Sequence, residues 1–177
     1  MHYSSWVHPD FDSNVLPLAY LITFRTYGTW LHGDQRGSVD RKSNLFGTPL
    51  LAPDRERRLT EEEEMRSPPI VLTVAQRRIV EAAVRNLCTH RGYILLAVNV
   101  RTNHVHAVIS AARKPERVLE ALKAYATREL RQTRSIPANL KPWARHGSTR
   151  YLWKDRSVEK AIAYVLYGQG DDPFNYS

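Results

Sequence analysis

Tyr93-Ile-Leu-Leu-Ala-Val-Asn-Val-Arg-Thr-Asn-His-Val-His-Ala-Val-Ile-Ser110 reads as two strands and a tight connection, and this stretch decides the fold. Tyr93 to Val100 is apolar at nearly every position, as a central strand covered on both faces would be. Arg101-Thr-Asn103 turns the chain as a hairpin. From His104 to Ser110 the pattern alternates, so His104 and His106 share one face while Val105, Ala107 and Ile109 occupy the other. Two imidazoles one residue apart on a sheet surface can hold a metal ion. A half-exposed histidine pair with no metal is the plainer reading, and the triplet alone does not choose between them.

Working upstream, Thr73 with Gln76 three residues on forms a capping box, after which Ile79, Val80, Ala83, Val84 and Leu87 recur at helical spacing. The spacing predicts a helix running to about His90, stopped by Gly92. Residues 17 to 25 are apolar and rich in β-favouring types, a first strand. Between them, from about residue 32 to 69, Gly, Pro and charge predominate, as in a loop insertion. A short helical turn is expected there around Thr60 to Met65, with Thr60 as N-cap and Glu63 reaching back.

Downstream, a second long helix spans Pro115 to Gln132, burying Val118, Leu119, Leu122 and Ala126. Ser135 to Thr149 looks irregular, and Arg150-Tyr-Leu-Trp153 is a short strand. A last helix starts near Ser157 with Val158, Ala161, Ile162, Val165 and Leu166 on its apolar stripe. The order strand, helix, strand, strand, helix, strand, helix predicts an α+β fold. It is a ferredoxin-like split βαβ antiparallel sheet with helices on one face and an extra C-terminal helix. With Val105, Ala107 and Ile109 under the paired helices, His104 and His106 face the other side, where the extra helix can lie.

At 177 residues the whole chain, 1–177, fits one domain with a core that needs neither disulfides nor a structural metal. Lys and Arg number 26 against 18 Asp and Glu, a net charge of +8 that favours a polyanionic partner without proving one. The single cysteine, Cys88, excludes a disulfide framework and a thiolate metal cage, and is expected as a core residue on a helix. No basic stretch followed by an apolar one opens the chain, and no apolar run nears the roughly 18 residues of a membrane span. The expectation is a soluble protein in a reducing, cytoplasmic location with no membrane partner.

The last helix carries the second chemical signal, Ala161-Ile-Ala-Tyr164-Val-Leu-Tyr167-Gly-Gln169. Breaking a phosphodiester requires charge stabilisation on the non-bridging oxygens and a nucleophile in line with the leaving oxygen. A divalent metal supplies the first and a tyrosine oxygen can supply the second, leaving a covalent phosphotyrosine. At about 100° per residue, Tyr164 lies roughly 120° from the centre of the apolar stripe and is not consumed by packing. Tyr167 is also off the stripe, so both tyrosines remain candidates. Two imidazoles are a partial ligand set for Mg²⁺ or Mn²⁺, which prefer oxygen donors, and Gln169 offers a carboxamide oxygen.

From Leu21-Ile-Thr-Phe-Arg-Thr-Tyr-Gly-Thr-Trp30 through Asn103-His-Val-His106, Leu122-Lys-Ala-Tyr125 and Trp153 to Tyr164-Val165, the chain resembles the single-tyrosine HUH transposases. It is most similar to their REP-associated tyrosine transposase branch. The resemblance implies a bacterial, nucleoid-associated enzyme that nicks and rejoins single-stranded DNA beside hairpin or palindromic elements. His104 and His106 would be metal ligands and Tyr164 the residue that forms a 5′-phosphotyrosine. The family pattern places Gln or Asn four residues after the tyrosine, whereas here that position is Gly168 and the glutamine is Gln169. The resemblance implies a monomer or a homodimer.

For DNA contacts, Lys123, Arg128 and Arg131 lie on the second helix, and Lys141, Trp143, Arg145, Arg150 and Tyr151 precede the last one. They mix cations with aromatics as single-strand surfaces do. Tyr27 and Trp30 sit in a glycine-containing loop that could grip a hairpin. Two other readings stand beside the transposase: a non-catalytic nucleic-acid-binding protein on the same sheet, and a rolling-circle-type nickase using both Tyr164 and Tyr167.

Overall fold

The computed structural model describes residues 16–29, 56, 60, 65 and 68–168. Among these the order is β1 (Ala19–Thr26), α1 (Val74–Arg91), β2 (Ile94–Val100), β3 (His104–Ser110), α2 (Pro115–Gln132), β4 (Trp143–Leu152) and α3 (Asp155–Tyr167). The sheet order is β2-β3-β1-β4 with every neighbouring pair antiparallel. β3 is inserted between β1 and β2, the two strands that α1 joins, which is the expected ferredoxin-like split βαβ topology.

Local chemistry sets the ends of α1. The Thr73 hydroxyl accepts from the Gln76 amide at 3.3 Å and the Gln76 side chain accepts from the Thr73 amide at 2.9 Å. Gly92 ends the helix at φ +67°, a conformation open to glycine at no steric cost. α1 and α2 cover one face of the sheet. Val80, Val84, Leu87, Val118, Leu122 and Leu130 pack there against Ile22, Phe24, Val105, Ala107 and Ile109. Cys88 is buried in this layer, and burial pushes its thiol pKa up to about 11, which makes it a packing residue rather than a nucleophile.

α3 lies on the opposite face. Its Ala161 and Val165 form a second cluster with Ala19, Ala97, Val108 and Leu152. This cluster occupies the Val108 end of β3, leaving the histidine end of the strand beside it.

Several elements differ from the sequence expectation. β2 is an edge strand, not a central one; it is apolar on both sides because α1 packs on one face and α3 on the other. β4 begins at Trp143, within the stretch expected to be irregular. Its middle, Arg145 to Ser148, is exposed, and its register shifts opposite Phe24 to Thr26, so it carries no alternation to read. Trp143 belongs to the core: its ring lies 4.9 Å from Phe24 edge to face, and its indole donates to the Lys123 carbonyl and the Thr127 hydroxyl. α3 starts two residues before Ser157, at Asp155.

Apart from residues 56, 60, 65, 68 and 69, the expected insertion at about 32–69 lies outside the described residues. Thr60, expected as an N-cap, instead donates its hydroxyl to the Glu56 carbonyl four residues back. Among the described residues no helix is long and apolar enough to cross a membrane.

Candidate active site

Strand register assembles a polar row on the α3 side of the sheet. Asn99 of β2 pairs with His106 of β3, His106 with Thr23 of β1, and Thr23 with Ser148 of β4. One step along the same face, His104 pairs with Arg25. The two imidazole rings lie 4.6 Å apart at an angle of 73°.

Each ring is held from behind through Nδ1. His106 Nδ1 lies 2.7 Å from the Thr23 hydroxyl, and His104 Nδ1 lies 2.6 Å from the Asn103 amide oxygen. Because Asn103 Oδ1 can only accept, His104 carries its proton on Nδ1 and presents a lone pair on Nε2. The Thr23 hydroxyl can donate or accept, so its bond fixes the orientation of the His106 ring and not its tautomer. Outer hydrogen bonds of this kind orient metal-binding imidazoles and raise their basicity. Asn103 is itself anchored, since its carbonyl accepts from the Thr26 amide at 2.9 Å and the Thr26 hydroxyl at 3.1 Å.

α3 brings the phenol. The Tyr164 ring lies 5.5 Å from the His106 ring, and Tyr164 is 45 % exposed. Tyr167 is 82 % exposed and makes no ring contact with either histidine. The helix end is tied to the row beneath it: Asn99 donates its side-chain amide to the Val165 carbonyl at 2.9 Å, satisfying one of the last-turn acceptors that a helix leaves open. Gly168 closes the helix through its amide to the Tyr164 carbonyl at 2.9 Å. Gln169 lies outside the described residues.

The donor set suits a divalent cation in part. The two imidazoles on one sheet face are the nitrogen donors such a cation would take. Among the described residues no group of three His, Cys, Asp or Glu side chains assembles.

The proposed DNA-contact residues divide between the faces. Arg150 pairs with Leu21 and so shares the histidine side, while Arg145 is exposed on the edge strand β4. Lys123, Arg128 and Arg131 line a shallow groove of about 510 Å³ on α2, beyond the sheet from the histidines. Lys123 is committed inward: its ammonium donates to the Ala144 and His146 carbonyls at 2.8 and 2.9 Å, and burial lowers its pKa. Arg128 stacks 4.0 Å over the Tyr125 ring, and Arg131 donates to the Leu140 carbonyl at 3.1 Å. Tyr27 follows β1, its amide bonded to the Pro142 carbonyl, and Trp30 lies outside the described residues.

Sequence reasoning passed over Thr23, Asn99 and Asn103. A signal existed for the first two. Thr23 and Arg25 interrupt an apolar strand at alternate positions, and Asn99 is the lone polar residue of β2. Polar residues spaced by two mark a face that something other than core covers.

A family model described as IS200-like transposase matches residues 65–157, more than half of the chain. The match takes in both histidines and ends before Tyr164. Among solved structures, a REP-associated tyrosine transposase bound to a REP hairpin aligns with 87% of this chain and 67% of its own, at 9% identity and a TM-score of 0.50, a likeness of fold. A structure from Deinococcus radiodurans R1 designated a transposase aligns over 89% of this chain and 95% of its own, at 13% identity and a TM-score of 0.42. No curated protein matches the chain.

Proposed function

This chain belongs to the IS200-like transposases, enzymes that cut and rejoin DNA, and from that premise we propose that it acts on single-stranded DNA beside hairpin or palindromic elements, with Tyr164 as nucleophile and His104 and His106 as ligands of Mg²⁺ or Mn²⁺. The observation that carries this reading is the Tyr164 ring 5.5 Å from His106, whose own ring is 4.6 Å from His104. The whole chain is taken as one catalytic domain, with the stretch at about 32–69 inserted into it.

When bound, the cation neutralises charge on the scissile phosphate. The Tyr164 oxygen attacks phosphorus, the bond to the departing 3′ oxygen breaks, and the strand is left as a 5′-phosphotyrosine. The phenol gives up its proton and the departing 3′ oxygen gains one. Attack by an incoming 3′-hydroxyl on the same phosphorus restores the phenol and joins the new strand. Asn103 holds His104 in the tautomer that presents Nε2, and Thr23 holds the orientation of the His106 ring. Arg150, which shares that face, would meet the strand in this reading, with Arg145 on the neighbouring edge. The glutamine expected as a third ligand, Gln169, adds an oxygen donor in this reading.

Incubation of the full chain with a labelled hairpin oligonucleotide and Mn²⁺ tests the proposal. The expected result is a covalent protein–DNA adduct that vanishes with Tyr164→Phe and on chelation, and persists with Tyr167→Phe. An adduct that survives Tyr164→Phe overturns the assignment of the nucleophile. DNA binding that survives chelation and never yields an adduct replaces the enzyme by a binding protein.

A further inference from the structure

Resting on the metal-dependent reading above, we infer that Asn99, on the strand beside the histidines, supplies a protein oxygen that joins His104 and His106 in holding the cation. Mg²⁺ and Mn²⁺ require oxygen donors, and two imidazoles do not meet that need. The end of α3 supplies none at position 168. A Cβ built on Gly168 would stand 2.9 Å from the Tyr164 carbonyl oxygen and 3.0 Å from both its Cα and its ring Cδ2. Two of those three atoms are backbone, so a side chain at 168 displaces the residue that carries the nucleophile.

Asn99 is placed differently. It faces His106 directly across the β2–β3 ladder, on the same side of the sheet. Residues so opposed have Cβ atoms roughly 4.5–5.5 Å apart, close enough for two side chains to share one ion. Its amide nitrogen is committed to the Val165 carbonyl at 2.9 Å. That bond turns the amide oxygen away from the helix carbonyl, and the oxygen takes no hydrogen bond from any described residue. His106 is thus flanked in one row by Thr23, which steadies its Nδ1, and by Asn99, which offers a hard donor. Asn99 couples two tasks: the nitrogen side of its amide holds the tyrosine helix and the oxygen side holds the ion.

Mn²⁺ titration of the metal-stripped full chain, followed by electron paramagnetic resonance of the unbound ion, reads affinity without DNA. Asn99→Ala is expected to weaken Mn²⁺ binding about 10-fold or more. Asn99→Asp, which keeps an oxygen and adds charge but loses the donor to Val165, is expected to bind at least as tightly as the parent. Parent affinity in Asn99→Ala overturns the proposal whatever Gln169→Ala does. Equal weakening in the Ala and Asp variants also overturns it, because the nitrogen contact to α3 would then be the whole effect. If Asn99→Ala loses its far-ultraviolet circular dichroism, the Asp variant against the parent decides, with weaker binding counting against. Failure of the underlying reading is separate: it shows as no Mn²⁺ binding by the parent, or as binding unchanged by His106→Ala.

Discussion

One face of this sheet lies under two 18-residue helices, each burying six residues, and the other lies under the 13-residue α3, which buries Ala161 and Val165. Both faces are built from alternate residues of the same strands. On the first, Val105, Ala107 and Ile109 meet α1 and α2 and close a continuous apolar layer. On the second, α3 covers Val108 and Ala97 and the rest of the face is the polar row of His104, His106, Thr23 and Asn99. The difference teaches that the site is what a short helix leaves over. Polar groups at its end must satisfy one another, and the hydrogen bonds that do so also orient the imidazole rings.

The contrast can be broken most forcefully by emptying the closed face. Phe24→Ala is expected to cost about 3–5 kcal/mol in urea unfolding, whereas His106→Ala should cost about 1 kcal/mol while abolishing the DNA adduct. Similar losses of stability from the two changes would mean that the faces are not distinct in kind. A smaller effect sharpens the polar side. Thr23→Val should weaken Mn²⁺ binding roughly 10-fold with little change in unfolding, and Thr23→Ser should restore it. Unaltered affinity in the valine variant would reduce Thr23 to a spectator.

The smallest effect belongs to Cys88 in the closed layer. Its folded pKa of about 11 lies above the ordinary 9.0, so the protonated thiol favours the folded chain. That contribution is complete below about pH 9 and is lost as pH rises through about 11. Urea midpoints across this window should therefore fall more steeply for the parent than for Cys88→Ala. Parallel slopes would show that the thiol reaches water in the folded state.

Legibility followed how local the cause was. The Thr73–Gln76 box and Gly92 bracket α1 because caps are written within a few residues, and the two-residue period of β3 assigned its faces outright. Only the end of β4, from Arg150, was read as a strand, because the rest has an exposed middle and a register shift at the sheet edge, so neither face imposes a pattern on it. β2 was misplaced laterally for the opposite reason: cover on both faces looks the same in sequence at an edge as at the centre. Within the site, His104, His106 and Tyr164 could be singled out by type and spacing, and the structure sets them together. Thr23, which holds one ring, and Asn99, the amide beside it, reach His106 through strand pairing, across 83 positions of sequence for Thr23, whereas Asn103 adjoins His104 and its contact is local. Lys123 was singled out because a lysine's charge is visible in sequence, whereas the two carbonyls that accept from its ammonium are not.

Gly147 ties the two sides of the molecule to a single point. It stands opposite Phe24 on β4, and a Cβ there would come within 2.6 Å of the Thr23 carbonyl oxygen and 2.9 Å of Leu119 Cδ2 on α2. A lone methyl group at this spot would act as a wedge, prising the border strand from its neighbour while pushing against the second long helix. The residue it would shift first is the one whose hydroxyl braces His106, so the tolerance for bulk at a remote rim position sets how firmly the reactive end of the protein is aimed.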